Sequence, residues 1–210
     1  MRAIYRESLR RHAHELIALG YQALCAEDFE SSQEPEITGE LVRAMREVLE
    51  RDTAPSWAEY YAIHDDPALN APGRRGSARP RVDIEFERIS HGTRLRLRFE
   101  AKRLGRSHGV TKYLGAEGLG CFTSGKYPLT HPEAGMLGYV QSRNEAVWAS
   151  RIETVLCRKP GAYYAVGGIL WEQHRITPQL AYTYRSKHYC HASGEDIDIF
   201  HIFLRFCKHS

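Results

Sequence analysis

Two neighbouring stretches alternate strictly between apolar and charged residues, and they constrain this chain more than any other feature. In residues 81–89, Val82, Ile84 and Phe86 fall on one parity and Asp83, Glu85 and Glu87 on the other. In residues 94–102, Leu95, Leu97 and Phe99 alternate with Arg94, Arg96, Arg98, Glu100 and Lys102. Successive side chains of a strand point to opposite faces, so period two predicts two strands, each with one apolar and one charged face. Ser90-His91-Gly92-Thr93 between them has turn composition, so the pair reads as a hairpin. An apolar sheet face has to be covered, and the flanking segments supply the cover.

Leu9, Ala13, Leu16, Ile17 and Leu24 recur at helical spacing and predict a helix over 3–25. A polar segment, 27–34, ends at Pro35. A second helix is predicted over 38–51, with Ile37, Leu41, Met45, Val48 and Leu49 as its apolar stripe. Glu36, Thr38 and Glu40 lie near its start, where acidic groups suit the helix dipole. Proline and glycine in 65–80 mark a loop, and six glycines in 105–128 predict a helix or broken helix followed by a turn. Further on, a short buried strand is expected over 134–141, a helix over 144–157, and strands near 181–188 and 197–206. The order predicts an α/β (α+β) fold, a mixed central sheet flanked by helices, with 1–30 as an N-terminal helical extension and 31–210 as the main domain. A chain of 210 residues can bury one sizeable core.

The net charge of +3 is too small to identify a partner. Its distribution is more informative, because eleven Arg and Lys residues crowd 74–106 and could attract phosphate. Five widely spaced cysteines do not suggest a disulfide framework. The first residues lack the apolar run of a secretory signal, and no stretch approaches the length of a membrane span. A cytoplasmic protein without a membrane partner is expected.

The charged parity of the hairpin carries the chemistry. Glu100 and Lys102, two residues apart, point to one face, and a hairpin brings Asp83 beside them. Two carboxylates can hold a hard cation through oxygen, and such a cation polarises a phosphate and activates water. Burial of the lysine opposes its charge while the carboxylates favour it.

Asp83 in Pro80-Arg-Val-Asp83 and Glu100-Ala101-Lys102 in Phe99-Glu-Ala-Lys-Arg resemble the motif of the PD-(D/E)XK nuclease superfamily. Here Val82 rather than proline precedes the aspartate. The resemblance covers about residues 36–206 and implies a restriction-endonuclease-like fold. It also implies Mg²⁺, for which Mn²⁺ can substitute, held by Asp83, Glu100 and the Ala101 carbonyl, with Lys102 near the attacking water. An upstream acid, Glu40 or else Glu36, is implied as well. The stretches Gly115-Ala-Glu-Gly-Leu-Gly-Cys-Phe, Gly125-Lys-Tyr and Ala134-Gly-Met-Leu-Gly-Tyr-Val look like segments of bacterial anti-phage defence nucleases. The expectation is a nuclease hydrolysing DNA, with Arg81, Arg103, Lys112, Lys126 and Arg143 as candidate phosphate contacts. A partner protein or homo-oligomer is expected to control so small an enzyme. The competing reading is a non-catalytic subunit of the same fold that binds nucleic acid or a protein.

Other signals are weaker. His188, Cys190, His191, His201, Cys207 and His209 lack the paired spacing of a zinc site. Gly115, Gly118 and Gly120 do not match a phosphate-binding fingerprint and read as close backbone packing. Cys121 with His131 could suggest a nucleophile and base, but nothing orients them.

Overall fold

The computed structural model describes residues 2–89, 94–168 and 170–208. Two helices lead: α1 (Arg2–Ala23) and α2 (Glu34–Glu50). Three strands follow, β1 (Tyr61–Asp65), β2 (Ile84–Arg88) and β3 (Leu95–Leu104), then the short helices α3 (Val110–Leu114) and α4 (Gly120–Thr123). The rest is β4 (Glu133–Val140), α5 (Glu145–Arg158), β5 (Glu172–Gln173), β6 (Thr183–Cys190) and β7 (Glu195–Arg205). All seven strands form one sheet in the order β1-β2-β3-β4-β7-β6-β5. Its centre, β3-β4-β7, is parallel and both flanks are antiparallel. The expected mixed sheet flanked by helices is thus what the chain forms. No helix among the described residues is long and apolar enough to cross a membrane.

Each face of the sheet has its own core. On one, α1 and α2 pack Leu9, Leu16, Ile17, Leu41 and Met45 against Ile84, Phe86, Leu97, Phe99 and Leu137. On the other, α3, α4 and α5 pack Tyr113, Phe122, Trp148 and Ile152 against Leu104, Met136, Val140 and Ile199. The helix of the first 30 residues, read in the sequence as an extension, shares its core with the sheet.

The hairpin strands pair antiparallel with Ile84 opposite Phe99, Phe86 opposite Leu97 and Arg88 opposite Leu95. The expected turn at 90–93 lies outside the described residues. The alternation does not extend back to Val82, which belongs to the second core rather than joining Ile84 and Phe86. Residues 81–83 pair instead with the segment after β1: Val82 N–H donates to Pro67 O at 3.4 Å, and Asp66 N–H to Asp83 O at 3.0 Å. The β2–β3 ladder therefore stops at Ile84, and the chain forks there.

Strands β1 and β5 escape the sequence reading because each is short and borders polar residues. The second helix begins four residues before the expected start. Proline is tolerated in a first turn, so Pro35 opens the helix instead of barring it. The glycine-rich segment is a broken helix, as the glycines suggest. A Cβ on Gly118 would lie 2.1 Å from Tyr113 O, so this close approach excludes any side chain.

His188 and His201 form part of a buried chain of hydrogen bonds, while His209 lies outside the described residues. His188 Nδ1 meets Tyr163 O at 2.8 Å, and a carbonyl can only accept. His188 Nε2 must then accept from Ser186 Oγ at 2.7 Å, and Ser186 Oγ accepts from His201 Nε2 at 2.7 Å. Tyr113 OH completes the chain by donating to His201 Nδ1 at 3.0 Å. Burial pushes His188 down to about 4 and His201 well below its ordinary value, so both rings stay neutral at neutral pH.

Candidate active site

The fork determines the site. In an extended strand the N–H and C=O of one residue point to the same side. Beyond Phe99 the next residue of β3 facing β2 is Ala101, and β2 has already turned away. The Asp83 carboxylate takes the place of a backbone carbonyl: Ala101 N–H donates to Asp83 Oδ2 at 2.6 Å. Ala101 O accepts from Lys102 Nζ, also at 2.6 Å. Lys102 Nζ in addition donates to Glu100 Oε1 at 2.9 Å and to Glu34 Oε1 at 2.7 Å. Glu34 Oε2 accepts the Arg103 backbone N–H at 3.1 Å, which ties the first turn of α2 to β3. From the opposite side Tyr127 OH donates to Glu100 Oε2 at 2.9 Å.

Three of the expected residues, Asp83, Glu100 and Lys102, therefore converge. Neither Glu40 nor Glu36, the expected upstream acids, reaches this cluster. Glu40 accepts from Arg43 Nε at 2.8 Å on the outer face of α2, and Glu36 accepts the Gln33 N–H at 2.8 Å at the helix start. Glu34 is the acid of α2 that meets Lys102, because the helix begins earlier than its apolar stripe suggests. Tyr127 is the second residue that sequence reasoning missed. No charge pattern marks it, since it lies in a loop that only the fold brings to Glu100.

The electrostatics follow from burial and crowding. Glu100 is raised to about 8, first by burial and then by the adjacent Asp83 charge, against the opposing pull of Lys102 and Tyr127. Asp83 is raised as well, again chiefly by burial, and its carboxyl lies within hydrogen-bonding reach of Glu100. For Lys102 burial opposes the charge, but Glu100, Glu34 and Asp83 outweigh it and push its ammonium well above its usual range. One ammonium thus serves three buried or half-buried carboxylates. Such a surplus of anionic oxygen, with the Ala101 carbonyl beside it, fits a hard divalent cation.

The other expected contacts are scattered. Arg81 Nε bonds Asp66 Oδ2 at 2.7 Å on the exposed surface. Arg103 directs its guanidinium at Ser32 O and His108 Nε2. Lys112 is exposed on α3. Lys126 Nζ lies 3.7 Å from Cys121 Sγ, and Arg143 holds a left-handed backbone at φ 65° just before α5. Burial, with the Glu100 charge nearby, pushes the Cys121 thiol up, which disfavours a thiolate nucleophile.

A second group, His64, Glu85 and Glu87, brings its ligand atoms within 4.8 Å of one another. Arginines already occupy these carboxylates: Arg98 Nε bonds Glu85 at 2.7 Å, and Arg94 and Arg96 bond Glu87 at 3.0 and 3.2 Å. Although burial alone would raise Glu87, Arg96 and Arg94 hold it below its ordinary value. The hairpin's charged face beyond the fork is thus an ion-pair ladder.

Compared with family models, curated proteins and solved structures, the chain matches none.

Proposed function

We propose that this chain is a metal-dependent nuclease of the PD-(D/E)XK type that hydrolyses phosphodiester bonds of DNA. The observation that carries the reading is the cluster in which Asp83 and Lys102 meet the two backbone groups of Ala101 while Glu100 and Glu34 meet Lys102. An ion-pair cluster built only for stability has no need of an anionic surplus, because breaking even one partnership in a buried cluster is costly.

Asp83, Glu100 and the Ala101 carbonyl would hold Mg²⁺ or Mn²⁺, which supplies Lewis acidity at the scissile phosphate. Lys102, whose three N–H groups go to Ala101 O, Glu100 and Glu34, would serve the attacking water and the phosphate as a fixed positive charge beside them. Glu34 fixes Lys102 by accepting from Nζ, while its other oxygen holds the Arg103 N–H, so the ammonium is tethered to β3. Tyr127 keeps Glu100 Oε2 in place.

The test is cleavage of plasmid and linear DNA, and of RNA, by purified protein with Mg²⁺ or Mn²⁺ and with EDTA. Glu100→Gln and Lys102→Ala are compared with the wild type. The expected result is cutting of DNA only with metal, reduced at least 100-fold in both variants while they remain folded. Variants that cut like the wild type would overturn the site. No cutting under any condition, with no metal binding by calorimetry, would leave a non-catalytic subunit of this fold.

A further inference from the structure

Beyond the carboxyl ends of β3, β4 and β7 lies a recess of about 610 Å³ between Glu30, Arg103, Arg106, His108, Arg143 and Lys208. A second hollow, which shares Arg106 and Arg143, continues it to Arg151. These three strands are the parallel centre of the sheet. Ligands of open α/β sheets gather at the carboxyl ends of such strands.

Arg106, Arg143, Arg151 and Lys208 form no ion pair among the described residues, whereas Glu30 is the one carboxylate in the walls. Arg151 and Trp148 line the second hollow, and the Arg151 guanidinium rests over the Trp148 ring at 5.1 Å. Arg143 occupies a left-handed conformation that glycine or asparagine would adopt at lower cost, and Cys207 Sγ holds its carbonyl at 3.5 Å. The N-terminus of α5, a helix of 14 residues, adds partial positive charge, offset in part by Glu145. The recess also touches the candidate active site: Glu34 bonds Lys102 with one oxygen and the backbone of Arg103, a recess wall, with the other.

We infer that this recess binds a phosphate monoester, presented by the terminus of a nucleic-acid strand whose chain passes the fork. The monoester follows from charge. A backbone diester carries one negative charge and a terminal phosphate nearly two, while the surplus of unpaired cations exceeds one. The strand end as its source rests on the nuclease reading.

The experiment is fluorescence anisotropy on the full chain in EDTA, where nothing is cut. One oligonucleotide is used in three forms, 5′-phosphorylated, 3′-phosphorylated and unphosphorylated. One phosphorylated form is expected to bind at least tenfold tighter than the unphosphorylated form. A chain carrying both Arg143→Asn and Arg151→Gln should lose that advantage, since asparagine tolerates the left-handed backbone. Equal binding of all three forms, or an advantage that survives in the double variant, would overturn the inference. Competition by a mononucleotide as tight as the oligonucleotide would keep the monoester but overturn the strand end. Glu100→Gln should retain the advantage in full, so loss of cleavage and loss of the phosphate preference report on different claims.

Discussion

Glu100 couples the chemistry of the site to its stability. Its carboxyl is raised from 4.5 to about 8 by burial and by Asp83. A carboxyl raised in the folded state favours folding while protonated. That contribution is complete below 4.5 and is lost as pH climbs through about 8. The thermal midpoint in EDTA should therefore fall between pH 6 and pH 9, and fall less in Glu100→Gln. Mg²⁺ should raise the midpoint of the wild type more at pH 9 than at pH 6, because the cation needs the ionised form. Lys102→Met gives a complementary result. It leaves Glu34, Glu100 and Asp83 without their ammonium and should cost about 3–5 kcal/mol in EDTA by denaturant titration. Mg²⁺ should restore much of that stability and none of the cleavage. Glu100 and Lys102 were legible in the sequence because parity fixes which side chains of one strand share a face, and Asp83 because the hairpin and its motif bring it beside that strand. Tyr127 was not, since its contact with Glu100 spans a loop that no periodicity describes.

At the level of elements, the start of α2 decides which acid joins the site. The apolar stripe from Ile37 onward reveals the helix but hides its first turn, where Glu34 and Pro35 sit. Glu34→Gln should weaken Mg²⁺ affinity or cleavage at least tenfold, while Glu40→Gln should change neither beyond twofold, by calorimetry and plasmid nicking. The hairpin was legible because both strands carry the pattern over many residues. It was misread at its start, because 81–83 leave β2 to pair with 66–68. Strand β1 was illegible for a related reason. Only Tyr61 and Ile63 face its core, and two apolar residues do not define a period.

Considered as a whole molecule, the sheet depends on its first helix. Leu9, Ala13, Leu16 and Ile17 are fully buried against it. Each large one contributes about 2 kcal/mol by burial, and a domain has only some 5–15 kcal/mol in hand. A chain lacking residues 1–30 should fail to give a cooperative thermal transition by circular dichroism, and Leu16→Ala alone should cost about 3 kcal/mol. The sequence boundary near residue 30 came from where the family resemblance begins, which does not reveal whether a preceding helix stands apart or completes a core. The fork between β2 and β3 also has a consequence for how the molecule matures. The partner of Ala101 N–H is chosen by strand register, and a slip of one residue would reverse the parity of β2 and carry Asp83 out of reach. A misaligned chain therefore lacks the Asp83–Glu100–Lys102 cluster on which the proposed cleavage rests. The pairing of β2 with β3 works as an interlock, so that the proposed reactivity would require the finished fold.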